Sequence, residues 1–484
     1  MASFGILVAF AVIVMSILFK WFESNCPQGS ACAKADQILE TLTIVPGMKR
    51  RHQEDGNLQD ITEAGGFPQF LFTLHEKYGP IASFWYGRHY YVSLGSPEAW
   101  KHTIKLFDRP NILYEFGRPM IGDDNMQYCN GEEGKARRKM YDVPFRHEAV
   151  KRYYEYYKKI ADDIAGKLSA IPPGDHISLK EYMSLYVSRA FLRVSFGDLF
   201  DDERNVVVLH SHYETAMEAL NQKIRYPCLE TEENFKAALK VWHNQILDVI
   251  LHRRENPPLN EKDRIFLDIL LDCCKSEEHL LGEVAVYYTG GYHTTTFLLV
   301  WAFYYISRDM EMQDKIYEEI TTILGTGKEV DFGILADLEY LKRVLNEAIR
   351  CSVLAPFAAR VNNEEDMKVS EYTIEKGTGI VHAIGVVHMD KNIWPEPERF
   401  DPDRFLPEQT AKRHKLAFSP FGFAGKRMCP GYRLAYAEGV VLLATLCRKF
   451  KFHLVRNKSI QRKYGFVTLP SEEVFVTIEK REQR

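Results

Sequence analysis

The sequence predicts a mainly α-helical protein with small β-sheets: one large domain behind an N-terminal transmembrane helix. Three observations carry this prediction. Across residues 148–275 apolar side chains recur at three- and four-residue spacing with charges between them, the pattern of amphipathic helices. Short runs rich in aromatic and β-branched residues lie toward either end, Ile81–Tyr86 and His89–Leu94 joined through Gly87-Arg88, and again over 464–479. Hydrophobic residues make up 46% of the 484, enough for a sizeable core, and no Gly/Ser-rich or Pro-rich linker divides the interior.

Residues 1–22 read as the anchor. Met1 to Phe19 contains no charged side chain, and about 20 apolar residues span a bilayer. A cleaved secretory signal is the competing reading, because Ala31-Cys32-Ala33 has the shape of a cleavage site. Against it, the apolar run exceeds a typical signal core, no basic residue precedes it, and the triplet lies well past its end. Lys20, Lys34, Lys49, Arg50 and Arg51 follow the run and place the main body on the cytoplasmic side. Residues 23–50 then form a linker containing the rigid turn Pro46-Gly47, and 51–484 form the main domain. The nine cysteines lack a paired framework and include the adjacent Cys273 and Cys274, which suits a reducing compartment. A net charge of -4 argues against a nucleic-acid partner.

Three stretches of this domain carry chemistry. Residues 284–307 hold no formal charge, which marks a membrane span or the centre of a large domain. Thr289, Gly290, Gly291, His293, Thr294, Thr295 and Thr296 would be costly in lipid but suit a helix passing over a buried cofactor. There, glycine lets a planar ligand approach, and a Thr hydroxyl that bonds back one turn opens a groove. His293 taken alone is more simply a hydrogen-bonded core histidine. Glu347 and Arg350, three residues apart, share a helix face; such pairs are ordinarily surface pairs worth under ~1 kcal/mol. In residues 421–431, FGFAGKRMCPG, Cys429 lies between Gly425 and Gly431 behind basic residues, the setting of a thiolate ligand that must be exposed to a metal on a tight turn. A buried structural cysteine is the plainer alternative.

These motifs together resemble the cytochromes P450. The haem-loop pattern FxxGxRxCxG of that family is met by Gly425, Arg427, Cys429 and Gly431. Its aromatic position falls on Gly422, with Phe421 and Phe423 on either side, so a neighbouring ring must shield the sulfur. The distal-helix pattern (A/G)GxxT falls on Gly290, Gly291 and Thr294, with His293 in place of the usual acid. ExxR falls on Glu347 and Arg350, and FDPDRF places Arg404 as its structural third member, one carboxylate locked between two guanidiniums. Arg360 and Arg138, the latter in the basic run 135–139, fall where propionates need cations; the run is equally well a solvated helix face. The Trp that often stands four places before such an arginine is Gly134 here. The strings EDGNLQDI at Glu54 and HEKYGPIASFWYGR at His75 are most similar to family 20, subfamily A.

The resemblance implies haem b with Cys429 as axial thiolate, and a monooxygenase that inserts one atom of O2 into an apolar, lipid-like or sterol-like substrate. Thr294 would hold dioxygen and water, with His293 as proton relay. Electrons would come from NADPH-cytochrome P450 reductase, with cytochrome b5 as a second donor, at the endoplasmic reticulum membrane. The chain carries no GxGxxG dinucleotide fingerprint of its own. Segments 107–120, 286–290, 354–357 and 466–469 match the family's pocket regions. Two other readings stay open: a haem-thiolate isomerase or dehydratase, and a haem-binding sensor or scaffold with little turnover.

Overall fold

The computed structural model describes residues 45–226, 233–325, 332–423 and 427–482. The expected anchor, most of the expected linker and Gly425 lie outside the described residues. Among the described residues no helix is long and apolar enough to cross a membrane.

The two aromatic runs form the strands expected of them. β1 (Ile81–Tyr86) and β2 (His89–Leu94) pair antiparallel, Phe84 opposite Tyr91 with their rings stacked 5.6 Å apart. Two further strands, β3 (Ala358–Val361) and β4 (Gly379–His382), complete the sheet in the order β1-β2-β4-β3, β4 running parallel to β2 and antiparallel to β3. Pro46-Gly47 packs onto β1: Ser83 donates to the Pro46 carbonyl at 2.9 Å, Met48 donates to the Ser83 carbonyl at 2.8 Å, and a Cβ on Gly47 would lie 2.0 Å from Ser83 Oγ. At the other end of the chain the structure departs from the expected alternation. Within residues 462–480 strands run only over Arg462–Lys463, Leu469–Pro470 and Phe475–Lys480. The stretch between is a loop held by side chains, with Asn221 Oδ1 accepting from the Phe466 amide (2.7 Å) and Thr468 Oγ donating to the Val353 carbonyl (2.6 Å).

Helices fill the rest, and those that position the site are α1 (Gly131–Tyr141), α2 (His147–Ser169), α3 (Leu179–Phe196), α4 (Glu203–Arg225), α5 (Glu233–Glu255), α6 (Glu277–Tyr288), α7 (Thr294–Ile306), α8 (Glu339–Ser352) and α9 (Tyr432–Lys449). Their ends follow local chemistry. Ser178 and Ser276 cap α3 and α6 by accepting from the third amide of each helix, and Gly197, at φ 109°, ends α3. Helix α7, apolar all round, runs through the core, packed by α3 and α8.

Under this core lies the expected carboxylate clamp. Arg350 grips Glu347 with two bonds, 2.7 and 2.8 Å, while both side chains are fully buried on α8. Arg404 Nε lies 3.2 Å from the same carboxylate, which also accepts from the Asp401 amide at 3.0 Å. Arg350 further donates to the carbonyls of His388 and Pro397, tying α8 to the irregular chain that leads toward the Cys429 loop. Breaking such a pair leaves an uncompensated buried charge costing on the order of 3–5 kcal/mol. Arg350→Ala should therefore lose soluble, folded protein together with any bound cofactor; recovery of a protein with unchanged unfolding midpoint would show the clamp to be dispensable.

Candidate active site

Cys429 is held by backbone before any side chain acts. Its amide donates to the Phe421 carbonyl at 2.9 Å, and Gly422, at φ 82°, makes the turn that brings these two together. A phenylalanine at 422 would be strained there, which accounts for the departure from the family pattern. Phe423 is buried against Trp100 (5.2 Å) and His382 (4.7 Å), and Phe421 packs on Tyr436 (5.5 Å), so the flanking rings brace the loop. The thiol is exposed, yet desolvation is what most raises its pKa, opposed by a backbone hydrogen bond from Gly431 and by the charges of Arg138 and Arg109.

Around it cluster four arginines with too few anions. Arg109, Arg138, Arg360 and Arg427 each feel others of the group: burial, then Arg109, Arg360 and Arg138, brings Arg427 down to about 8, and burial, Arg109 and Arg138 bring Arg360 to about 10. Their partners differ. Arg427, expected at the cofactor, is engaged on carbonyls: Met126 at 2.8 Å, Phe107 at 3.2 Å and Cys129, with its guanidinium 4.3 Å over the Phe107 ring. It staples the cysteine loop to the segment preceding α1. Arg138 makes a bidentate pair with Asp142 (2.8 and 3.0 Å) and donates to the Met428 carbonyl at 2.7 Å, again holding the loop. Arg360, on β3, donates to Ala359 beside it, and Arg109 keeps a buried Nε without a hydrogen-bond partner among the described residues. Uncompensated buried cations of this kind fit a guest carrying two carboxylates, as haem does with its propionates. Sequence reading missed Arg109, an arginine inside a segment read only as pocket lining. Gly134 is also explained: a Cβ there would meet the Phe107 ring at 2.8 Å and the Cys129 carbonyl at 2.5 Å, so the packing here has no room for a side chain at 134.

Between α6 and α7, residues Thr289–His293 form a π-helical turn. Thr294 Oγ donates to the Gly290 carbonyl at 2.6 Å, the back-bond expected of it, and Gly290 is exposed with open space where a Cβ would point. Gly291 serves differently: a Cβ would lie 2.1 Å from the Phe191 ring, so its glycine permits close helix packing. His293 also turns from the open face. It is buried among Phe297 (4.9 Å), Tyr213 (6.1 Å) and Phe466 (6.2 Å), and neither ring nitrogen finds a hydrogen-bond partner among the described residues. Desolvation takes its pKa to about 4, so the expected relay by an ordinary imidazole beside Thr294 gives way to a neutral, packed ring.

The sequence model of the family described as Cytochrome P450 matches residues 46–478. Among curated proteins the chain is similar to cytochrome P450 20A1 of Homo sapiens, 29% identical over 445 residues that cover 90% of this chain and 93% of that one. The Mus musculus protein of the same name is also 29% identical, over 441 residues with the same coverage. Cytochrome P450 4c21 of Blattella germanica is 25% identical over 442 residues, 84% of this chain and 87% of that one.

Burial of His293 has a pH consequence. Its folded pKa, about 4, lies below the 6.5 of a free imidazole, so the unfolded chain binds more protons between those values and stability falls as pH drops through that window. His293→Leu removes two unpaired buried nitrogens and should be neutral or stabilising at pH 7. At a pH near 4.5 it should be more stable than the parent by about 2 to 3 kcal/mol, read from denaturant unfolding at both pH values. An equal difference at the two pH values would place the ring in water.

Proposed function

The chain belongs to the cytochrome P450 family, and from that premise we propose that Cys429 is the axial thiolate of haem b and that Arg109 and Arg360 take its propionates. Members of the family are haem-thiolate monooxygenases that use O2 and redox partners. The substrate we assign is apolar, lipid-like or sterol-like, because segments 107–120, 286–290, 354–357 and 466–469 are largely apolar and aromatic. The electron donor we assign is NADPH-cytochrome P450 reductase, with cytochrome b5 second, and the setting is the endoplasmic reticulum membrane, residues 1–22 being the anchor and the catalytic domain facing the cytoplasm.

The observation that carries this reading is an exposed cysteine within electrostatic reach of an excess of buried guanidinium. Haem bound there supplies the activation of O2 and the insertion of one oxygen atom into the substrate. The protein's part is to hold and to orient. The Gly431 N–H and the positive charges of Arg138 and Arg109 favour the ionised sulfur against its burial. Arg427 and Arg138 fix the loop that presents it. Across the site, Thr294 donates its own proton to the Gly290 carbonyl, which leaves its oxygen as an acceptor; a water in the groove is thus oriented with a hydrogen toward Thr294. That arrangement favours oxygen chemistry over an isomerase, which needs no ordered proton donor.

With full-length protein in membranes, Cys429→Ser should abolish the thiolate-type reduced carbon monoxide spectrum, whereas Cys447→Ala, buried on α9, leaves it intact. An unchanged spectrum in the Cys429 variant would refute the ligand assignment. With added reductase and NADPH, Thr294→Ala should make several-fold less product per NADPH and more hydrogen peroxide, because the water that it orients loses its positioned acceptor. Unaltered coupling would remove Thr294 from oxygen chemistry.

A further inference from the structure

Behind the π turn, away from the open groove, the Tyr292 hydroxyl meets three polar groups in a fully buried position. It lies 3.0 Å from His210 Nε2 and 3.2 Å from Glu214 Oε1, both on α4, and 3.0 Å from Ser184 Oγ on α3. Glu214 in turn pairs with Lys180 at 2.6 Å, and the two are partly exposed. The ring is embedded in aromatics: stacked on Tyr288 at 5.7 Å, edge-on to Tyr213 at 5.4 Å, both of which reach Trp242 at 5.8 and 5.4 Å. A single hydroxyl cannot donate to all three neighbours, but Ser184 can donate to it while it donates to His210 or Glu214.

We propose that Tyr292 is a one-electron redox site, with His210 as its proton acceptor, that withdraws oxidising equivalents from the haem when no substrate consumes them. The proposal rests on the haem-thiolate reading given above. Tyr292 stands two residues before Thr294, so its Cα is within about 7 Å of the residue that faces the groove. In the step, Tyr292 gives one electron to the oxidised haem centre. Its O–H bond breaks and the proton forms a new N–H bond at His210 Nε2, leaving a neutral phenoxyl radical and an imidazolium. A thiol or ascorbate from solution later returns one electron, and the proton goes back to the phenol oxygen. The surroundings suit each part. Burial keeps the phenol from ionising on its own and keeps His210 neutral, hence able to accept. Against desolvation, the charge and hydrogen bond of Lys180 hold Glu214 below the usual carboxylate range, so an anion stands 3.7 Å from His210 Nε2 to stabilise the imidazolium. Tyr288, by contrast, reaches only the other ring nitrogen, at 3.5 Å.

The test is freeze-quench electron paramagnetic resonance of the full-length haem-loaded protein. One arm mixes it with peracetic acid, which oxidises through the haem; the other uses flash-generated ruthenium(III) tris-bipyridine, which does not. A tyrosyl radical should form in both arms, be lost in Tyr292→Phe, persist in Tyr288→Phe, weaken in His210→Gln, and form more slowly in deuterium oxide. A normal thiolate-type carbon monoxide spectrum in each variant shows that it has folded. An undiminished radical in Tyr292→Phe, or no tyrosyl radical in the parent with either oxidant, overturns the proposal and leaves the haem reading standing. If the parent lacks the thiolate spectrum, it is the haem reading that fails, and loss or persistence of the ruthenium-generated signal in Tyr292→Phe decides the redox site by itself.

Discussion

The buried carboxylate of Glu347 is the constraint on which the remainder of the site rests. A carboxylate at the centre of a domain is costly unless its charge and lone pairs are met, and here Arg350, Arg404 and the Asp401 amide meet them together. Because those partners come from α8 and from the chain near residue 400, satisfying one anion fixes the two segments to each other. Arg350 extends the lock to the carbonyls of His388 and Pro397, and its guanidinium lies 5.1 Å over Trp394, on whose ring Arg413 also sits at 4.2 Å. The chain entering the cysteine loop thus starts from a rigid base.

From that base the loop is held by cations whose work divides in two. Arg427 and Arg138 act on backbone carbonyls and on Asp142, so their removal would loosen the ligand before it weakened any contact to a cofactor. Arg109 and Arg360 form no ion pair among the described residues, and the charge of Arg109 adds to burial in lowering the Arg360 pKa. Four guanidiniums against the single carboxylate of Asp142 leave an excess of positive charge around the thiol, which suits an anionic guest.

The distal helix shows how one turn of altered geometry serves several ends. Widening to a π turn over Thr289–His293 rotates successive residues apart, so that Gly290 and Thr294 open to the groove, Gly291 seats Phe191, and Tyr292 and His293 point into the aromatic layer under α4 and α5. The acid expected before Thr294 is absent from the groove, and the polar groups of this region gather instead on the reverse side around Tyr292, where Glu214 and His210 are supplied by another helix.

Features that depend on near neighbours in the chain were legible in the sequence. Strands β1 and β2 follow from their aromatic and β-branched content around a Gly turn, the Glu347–Arg350 pair from helical spacing, and the Thr294 back-bond from its distance to Gly290, whereas the cysteine turn is made at Gly422, read from sequence only as a missing aromatic. What the tertiary structure decided is which way each side chain faces and which donors are left free. Arg427 looks like a cofactor contact until carbonyls some 300 positions away claim its guanidinium, and Arg109 looks like pocket lining until folding buries it beside Arg360 with Gln127, and no carboxylate, as its hydrogen-bond partner among the described residues. Gly134 reads only as a missing Trp until the Phe107 ring and the Cys129 carbonyl are seen to leave no room for a side chain, and His293 as a relay until Tyr213 and Phe466, remote in sequence, desolvate it. Local spacing determines the backbone and the inventory of chemical groups; burial and charge arise from segments brought together only by folding, and these set which groups bind, which ionise and which merely pack.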